Sequence, residues 1–177
     1  STKKFILSIN LSPHVKNFYE HMQDLISLIQ SQKTSNVSIC LEVIESAFLE
    51  IENTEFEKIN SLLKNTNISL TLDDFGTRYS TILRIMEGNF KTIKIDKSIV
   101  EKLDGTESLK AYSVIKGLYT ICNELELKLV AEGVETEAQL LALKEIGLRY
   151  VQGYYFYKPL SIDECVTLVD KQSLTEM

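Results

Sequence analysis

Asp73 and Asp74 stand side by side at the end of an alternating polar and apolar segment (SLTL, 69–72), just before a turn marked by Gly76. Two adjacent carboxylates repel, and drawing both out of water is costly unless a cation neutralises them. The pair therefore reads as a candidate metal site. The competing reading is a solvated turn in which one Asp caps the next segment. What favours the metal is company: Asn10, Glu42, Lys94, Glu132 and Gln152 close further segments of strand length in the same way. Four carboxylates and the amide oxygen of Asn10, with no thiol among them, form a hard oxygen-donor set suited to Mg2+ or Mn2+ rather than zinc. Two such ions about 4 Å apart can clamp the attacking and departing oxygens of a phosphodiester, with a carboxylate of the Asp pair bridging them. Lys94 would stabilise phosphoryl charge or hold the attacking water. A strand lysine can also form a Schiff base in an aldolase-like barrel, but neighbouring carboxylates would keep Lys94 as the ammonium.

The segments that must carry these residues follow from hydrophobic periodicity. Residues 3–10, 37–44, 68–73, 92–96, 128–132 and 149–152 read as strands, and Pro13 stops the first. In the fourth, alternation puts Ile93 and Ile95 on one face and Lys94 with Asp96 on the other. Between the strands lie helical patterns. One carries Phe18, Met22, Leu25, Ile26 and Ile29 on a single face. Another opens on a Thr54/Glu57 capping box and turns Phe56, Ile59, Leu62 and Leu63 inward. A short helix is expected over residues 81–86, ended by Gly88. A long one over 109–125 presents Tyr112, Ile115, Tyr119 and Cys122. Thr136 with Gln139 opens the next helix and Gly147 closes it, while Ser161 with Glu164 caps the last one through Leu168. Strands alternating with helices, never adjoining, predict a parallel sheet covered by helices, and right-handed crossovers put every strand's C-terminal end on one side. That rim is where β/α architectures place their active sites.

Composition limits the alternatives. A chain of 177 residues suits one domain, and 44% hydrophobic with 25% charged residues excludes disordered and fibrous classes. A formal net charge of −6 without a Lys/Arg cluster argues against a nucleic-acid polymer as partner. Cys40, Cys122 and Cys165 are odd in number and lack a CxxC pair, so buried thiols in a reducing cytosol are expected. His14 and His21 lack partners at ligand spacing and are expected to be solvated or partly packed. No apolar run reaches the roughly 18 residues of a membrane span, and no signal peptide is visible, so no membrane contact and a cytoplasmic location are expected. The chain opens on Ser1 and enters a strand almost at once, which reads as a fragment whose beginning lies elsewhere.

The motifs SINLSP (8–13), LEVIES (41–46), LTLDDFGTRYS (70–80), IKID (93–96), VAEGVET (130–136) and VQGYYFYKP (151–159) resemble, in order and spacing, the EAL family of cyclic di-GMP phosphodiesterases. The resemblance covers nearly the whole chain. It implies a TIM-like (β/α) barrel and hydrolysis of cyclic di-GMP to linear pGpG with Mg2+ or Mn2+. Asn10, Glu42 and Asp73 would ligate one ion. Asp73, Asp74 and Glu132 would serve the second, Glu132 through water. Lys94 would position the nucleophilic water and Gln152 would hydrogen-bond water or ligand. Glu45 would anchor the loop after the Asp pair. Asp96, Glu135, Arg78 and Pro159 fall at substrate-binding positions.

Two departures from the family matter. The Glu-Ala-Leu strand, whose Glu completes the first metal site, would lie upstream of SINLSP. The chain therefore reads, over residues 1–177, as an N-terminally truncated EAL-type domain of about six βα units with impaired activity. A full barrel of this class takes about 250 residues. The missing units would leave two sheet edges exposed. Arg78 stands where the family usually has Gly, so the loop takes another path or Arg78 reaches a ligand phosphate. The alternative function is a catalytically degenerate cyclic di-GMP receptor or interaction module. A homodimer, in which the barrel is completed across chains, and an upstream sensor or cyclase-like domain are the partners the resemblance implies.

Overall fold

Segments with apolar residues at every second position pair with one another, and those with a three-to-four spacing cover them. The computed structural model describes residues 5–12, 17–32, 37–48, 50–64, 66–76 and 82–175. Its strands are β1 (Phe5–Leu11), β2 (Val37–Ile44), β3 (Ser69–Phe75), β4 (Phe90–Ile95), β5 (Lys128–Ala131) and β6 (Tyr150–Val151). All neighbours are parallel and the spatial order is the chain order. Every C-terminal end therefore lies along one rim, as expected.

The helices are α1 (Phe18–Ser31), α2 (Glu45–Phe48), α3 (Asn53–Leu63), α4 (Ile82–Glu87), α5 (Lys97–Val100), α6 (Ser108–Glu124), α7 (Glu137–Ile146) and α8 (Ile162–Thr175), with a 3-10 turn at Glu101–Asp104. One face of the sheet is apolar: Leu41, Val43, Leu70, Leu72, Ile93, Ile95, Leu129 and Ala131 are buried. Phe18, Met22 and Ile26 of α1, Phe56, Ile59 and Leu63 of α3, Ile115 of α6 and Leu143 of α7 join the same core. Each such side chain contributes about 1.5–3 kcal/mol on leaving water, and this layer fixes the sheet under its rim. Register puts Asn10 beside Glu42, Glu42 beside Thr71, and Thr71 beside Thr92 on the opposite, polar face.

Several expectations need correction. The Thr54/Glu57 box does not form: α3 starts at Asn53 with Glu52 as its N-cap, so Thr54 already lies within the first turn. The Thr136/Gln139 box is complete, and Gly147 ends α7 in the left-handed conformation. Ser161 and Glu164 exchange the expected bonds, but α8 runs on to Thr175. Cys40 and Cys122 are buried, whereas Cys165 is exposed because its helix lies on the outside of the chain. The short helices α2 and α5 and the 3-10 turn have too few residues to show a period. His21 is exposed on α1, while Pro13, His14, Arg78 and Thr81 lie outside the described residues. No described helix is long and apolar enough to cross a membrane.

Candidate active site

Lys94 is the middle of the polar face. It is buried, and its ammonium lies 3.1 Å from Glu42 Oε2, 3.1 Å from Asp73 Oδ1 and 2.6 Å from Glu132 Oε1. Glu42 sits on β2 and Glu132 just past β5. Three strand spacings in a flat sheet would part them by about 14 Å, so meeting on one nitrogen requires a concave rim and long side chains. Burial alone would pull the Lys94 pKa down. The hydrogen bonds and negative charge of Glu132 and Asp73 outweigh it, and the pKa ends above the usual lysine range.

The Asp pair reaches this place through a bulge. Adjacent strand residues normally face opposite sides. Here Leu72 pairs with Ile93 and Phe75 with Ile95, so Asp73 and Asp74 together oppose Lys94. Asp74 takes a left-handed conformation with φ 55°, and its N–H donates to Asp73 Oδ1 at 3.1 Å. A bulge of this kind bends the strand and re-aims its side chains. The result is that carboxylate oxygens of Asp73, Asp74 and Glu132 lie within 4.8 Å of one another. Burial, then the charges of Asp73 and Asp96, raise the Asp74 pKa against the opposing pull of Lys94. Burial also raises that of Glu132, against Lys94.

The remaining predicted residues divide clearly. Gln152 donates through Nε2 to Glu132 Oε1 at 2.5 Å, and its own N–H is held by Ala131 O at 2.9 Å. Asn10 shares the polar face in register with Glu42 and is exposed. Glu45 stands back from the rim, buried, and accepts from the Gly76 N–H at 3.1 Å. Asp96 caps α5 by accepting from the Ser98 N–H at 2.9 Å. Asp96, Glu135 and Pro159 line a cavity of about 490 Å3 that opens beside Asp74 and Glu132. Lys97, Tyr154, Tyr157 and Lys158 line the same cavity and were not singled out from the sequence. Tyr154, Tyr157 and Lys158 carried a signal through their place in the VQGYYFYKP motif, and Lys97 carried none.

The donor set fits hard divalent cations. Glu42, Asp73 and Glu132 contact a single ammonium, Asp74 adjoins Asp73 and Glu132, and burial raises the pKa of Asp74 and Glu132, a cost that a bound cation would relieve.

Known proteins resemble this chain in sequence and fold. The cyclic di-GMP phosphodiesterase PdeA of Borreliella burgdorferi is 33% identical over 87% of this chain and 22% of its own length. The chain spans less than a third of the length of such curated relatives. The solved EAL domain of Mycobacterium smegmatis DcpA has a TM-score of 0.76 at 30% identity, covering 94% of this chain and 73% of that one. The manganese and cyclic di-GMP complex of Klebsiella pneumoniae BlrP1 at pH 6 gives 0.67 at 27% identity, covering 84% and 37%. Residues 1–159 match the family model described as EAL domain, and the chain belongs to that family.

Proposed function

We propose that this chain forms the metal-binding and substrate-binding part of a two-metal cyclic di-GMP phosphodiesterase whose product is linear pGpG. The observation that carries this reading is the convergence of Asp73, Asp74 and Glu132 within 4.8 Å at the mouth of a cavity wide enough for a nucleotide. The similarity to BlrP1, solved with manganese and cyclic di-GMP, supports both the ligand and the class of metal. Asn10, Glu42 and Asp73 would hold one Mg2+ or Mn2+, and Asp73, Asp74 and Glu132 the other. Bound there, the ions supply a water of lowered pKa and neutralise phosphoryl oxygens.

The chain's own groups do the rest. Lys94, with its raised pKa, stays protonated at neutral pH and cannot act as a base. It donates to the carboxylates and to whichever phosphoryl or water oxygen enters between them. Water's oxygen bonds to phosphorus as the bond from phosphorus to the 3′-oxygen breaks, and the proton given up by water balances the one that the 3′-hydroxyl gains. Gln152 holds Glu132 in place, while Glu45 ties down the turn after the Asp pair. Asp96, Glu135 and Pro159 would meet the nucleotide, and Arg78 is a candidate for the same role on sequence grounds.

The domain would act in the cytoplasm as a homodimer, a reading supported by β1 and β6 being the outer strands of the sheet among the described residues. Sedimentation showing only monomer at micromolar concentration would reject the dimer. For the reaction, the purified chain is incubated with cyclic di-GMP and Mn2+, and products are separated by chromatography. Slow formation of pGpG, abolished by chelator, is expected. Tight binding without product selects the receptor, which Arg78 favours on sequence grounds; no binding of metal or nucleotide rejects both.

A further inference from the structure

The cavity beside Asp74 and Glu132 is lined by two lysines as well as four carboxylates. Lys94 nearby takes three carboxylates as partners. Lys97 and Lys158 take none among the described residues, although both border the same acidic cavity. Their stems are nevertheless held. Lys97 opens α5, and its Cβ lies where a side chain on Gly133 would fall, so the glycine at φ +68° lets the loop after β5 press against it. Lys158 places its ammonium over the Tyr154 ring, 5.9 Å from the centroid. Two exposed lysines that line one cavity, one packed by its stem against Gly133 and the other resting its ammonium on Tyr154, are suited to an anion.

We propose that Lys97 and Lys158 form a second phosphate seat, which takes the phosphodiester of the cyclic dinucleotide that is not being cut. This rests on the functional reading above, in which the ligand carries two phosphates and the ions at the carboxylate cluster serve the one being cut. The cavity is lined by Asp74 and Glu132, whose carboxylates call for metal ions. The other groups lining it, Tyr154, Tyr157 and the two lysines, offer ring faces for bases and point charges for phosphate. The seat would discriminate cyclic dinucleotides from mononucleotides by requiring phosphate in two places at once.

The test uses Lys97→Met and Lys158→Met, which keep most of each stem and remove the charge, with Lys158→Arg as the conservative control. Calorimetry with Mn2+ reports folding and the carboxylate cluster, and its affinity should not change. Cyclic di-GMP affinity should fall about tenfold or more in each Met variant, lose part of its salt dependence, and return in Lys158→Arg. GMP affinity should change less than twofold. Wild-type affinity and salt dependence in both Met variants would overturn the seat and leave the hydrolase reading intact. If the wild type binds inorganic pyrophosphate through these lysines but no cyclic di-GMP, the hydrolase reading fails and the anion seat stands. Binding of neither anion rejects both.

Discussion

Lys94 Nζ and Glu132 Oε1 lie 2.6 Å apart, closer than Lys94 comes to Glu42 or Asp73, both at 3.1 Å. The ammonium thus leans toward the tip of β5 while still touching the tips of β2 and β3, and supplies the positive charge on which three strand ends converge. Removing a partner from such a buried set leaves uncompensated charge, which costs about 3 kcal/mol or more.

Lys94→Met should therefore lower the melting temperature in chelator by about 6 °C or more, given a shift of roughly 2–4 °C per kcal/mol for a domain of this size. Mn2+ should recover a larger share of stability in the variant than in the wild type, because the carboxylates left behind need a cation more. Calorimetric melts with and without Mn2+ check both halves. Equal metal-induced shifts would show that Lys94 and the metal do not draw on the same carboxylates.

Two capping motifs of similar appearance make the next comparison. Thr136 accepts from the Gln139 N–H at 3.2 Å, and Gln139 Oε1 accepts from the Thr136 N–H at 3.1 Å. Thr136→Ala should cost about 1 kcal/mol. Thr54→Ala, inside the first turn of α3 with no capping bond, should stay within about 0.5 kcal/mol of wild type. Urea midpoints of the two variants decide it.

These two threonines also show what the sequence could and could not tell. Both sit three residues before a Glu or Gln, and only the surrounding packing decides which becomes a cap. Strand positions were legible because alternation over residues 37–44 or 92–96 has no other explanation, and with them came the rim of polar ends. The bulge was not legible. Strict alternation sends Asp73 and Asp74 to opposite faces, and nothing in the residue types announces the left-handed turn at Asp74 that reunites them. The grip of Lys94 on three carboxylates likewise depends on sheet curvature, which pairwise spacing does not encode. Lys97 and Tyr157 stayed unread because exposed cations and aromatics are ordinary until a cavity is seen between them.

Glu45 offers a local readout. Its buried carboxylate accepts from the Gly76 N–H, the first residue beyond the bulged strand. Glu45→Gln keeps an acceptor oxygen, whereas Glu45→Ala leaves that amide exposed to exchange. Hydrogen exchange followed by mass spectrometry or NMR should show Gly76 opening at least tenfold faster in Glu45→Ala, with most of the protection retained in Glu45→Gln. Unchanged protection in the Ala variant would mean that Glu45 does not hold the turn.

Asp74 sets a pH-dependent test of the crowded cluster. Burial and the charges of Asp73 and Asp96 raise its folded pKa above the unfolded value of about 3.9. A raised carboxylate favours the fold while it is protonated. That contribution is complete below the unfolded pKa and is lost as pH rises through the folded one. At pH 7 in chelator the ionised Asp74 therefore costs stability, and Asp74→Asn removes the cost. Because the group is only partly buried, the gain should stay under about 1 kcal/mol, or under about 4 °C in melting temperature. Asn also tolerates the left-handed backbone at φ 55°, which adds an increment that does not vary with pH. The electrostatic part is thus the part that shrinks as pH falls from 7 toward 4, and melts of both proteins across that range isolate it. A difference that stays constant with pH would assign the gain to the backbone alone, while Mn2+ should reverse its sign at neutral pH, since the metal binds more tightly to the protein that keeps the carboxylate.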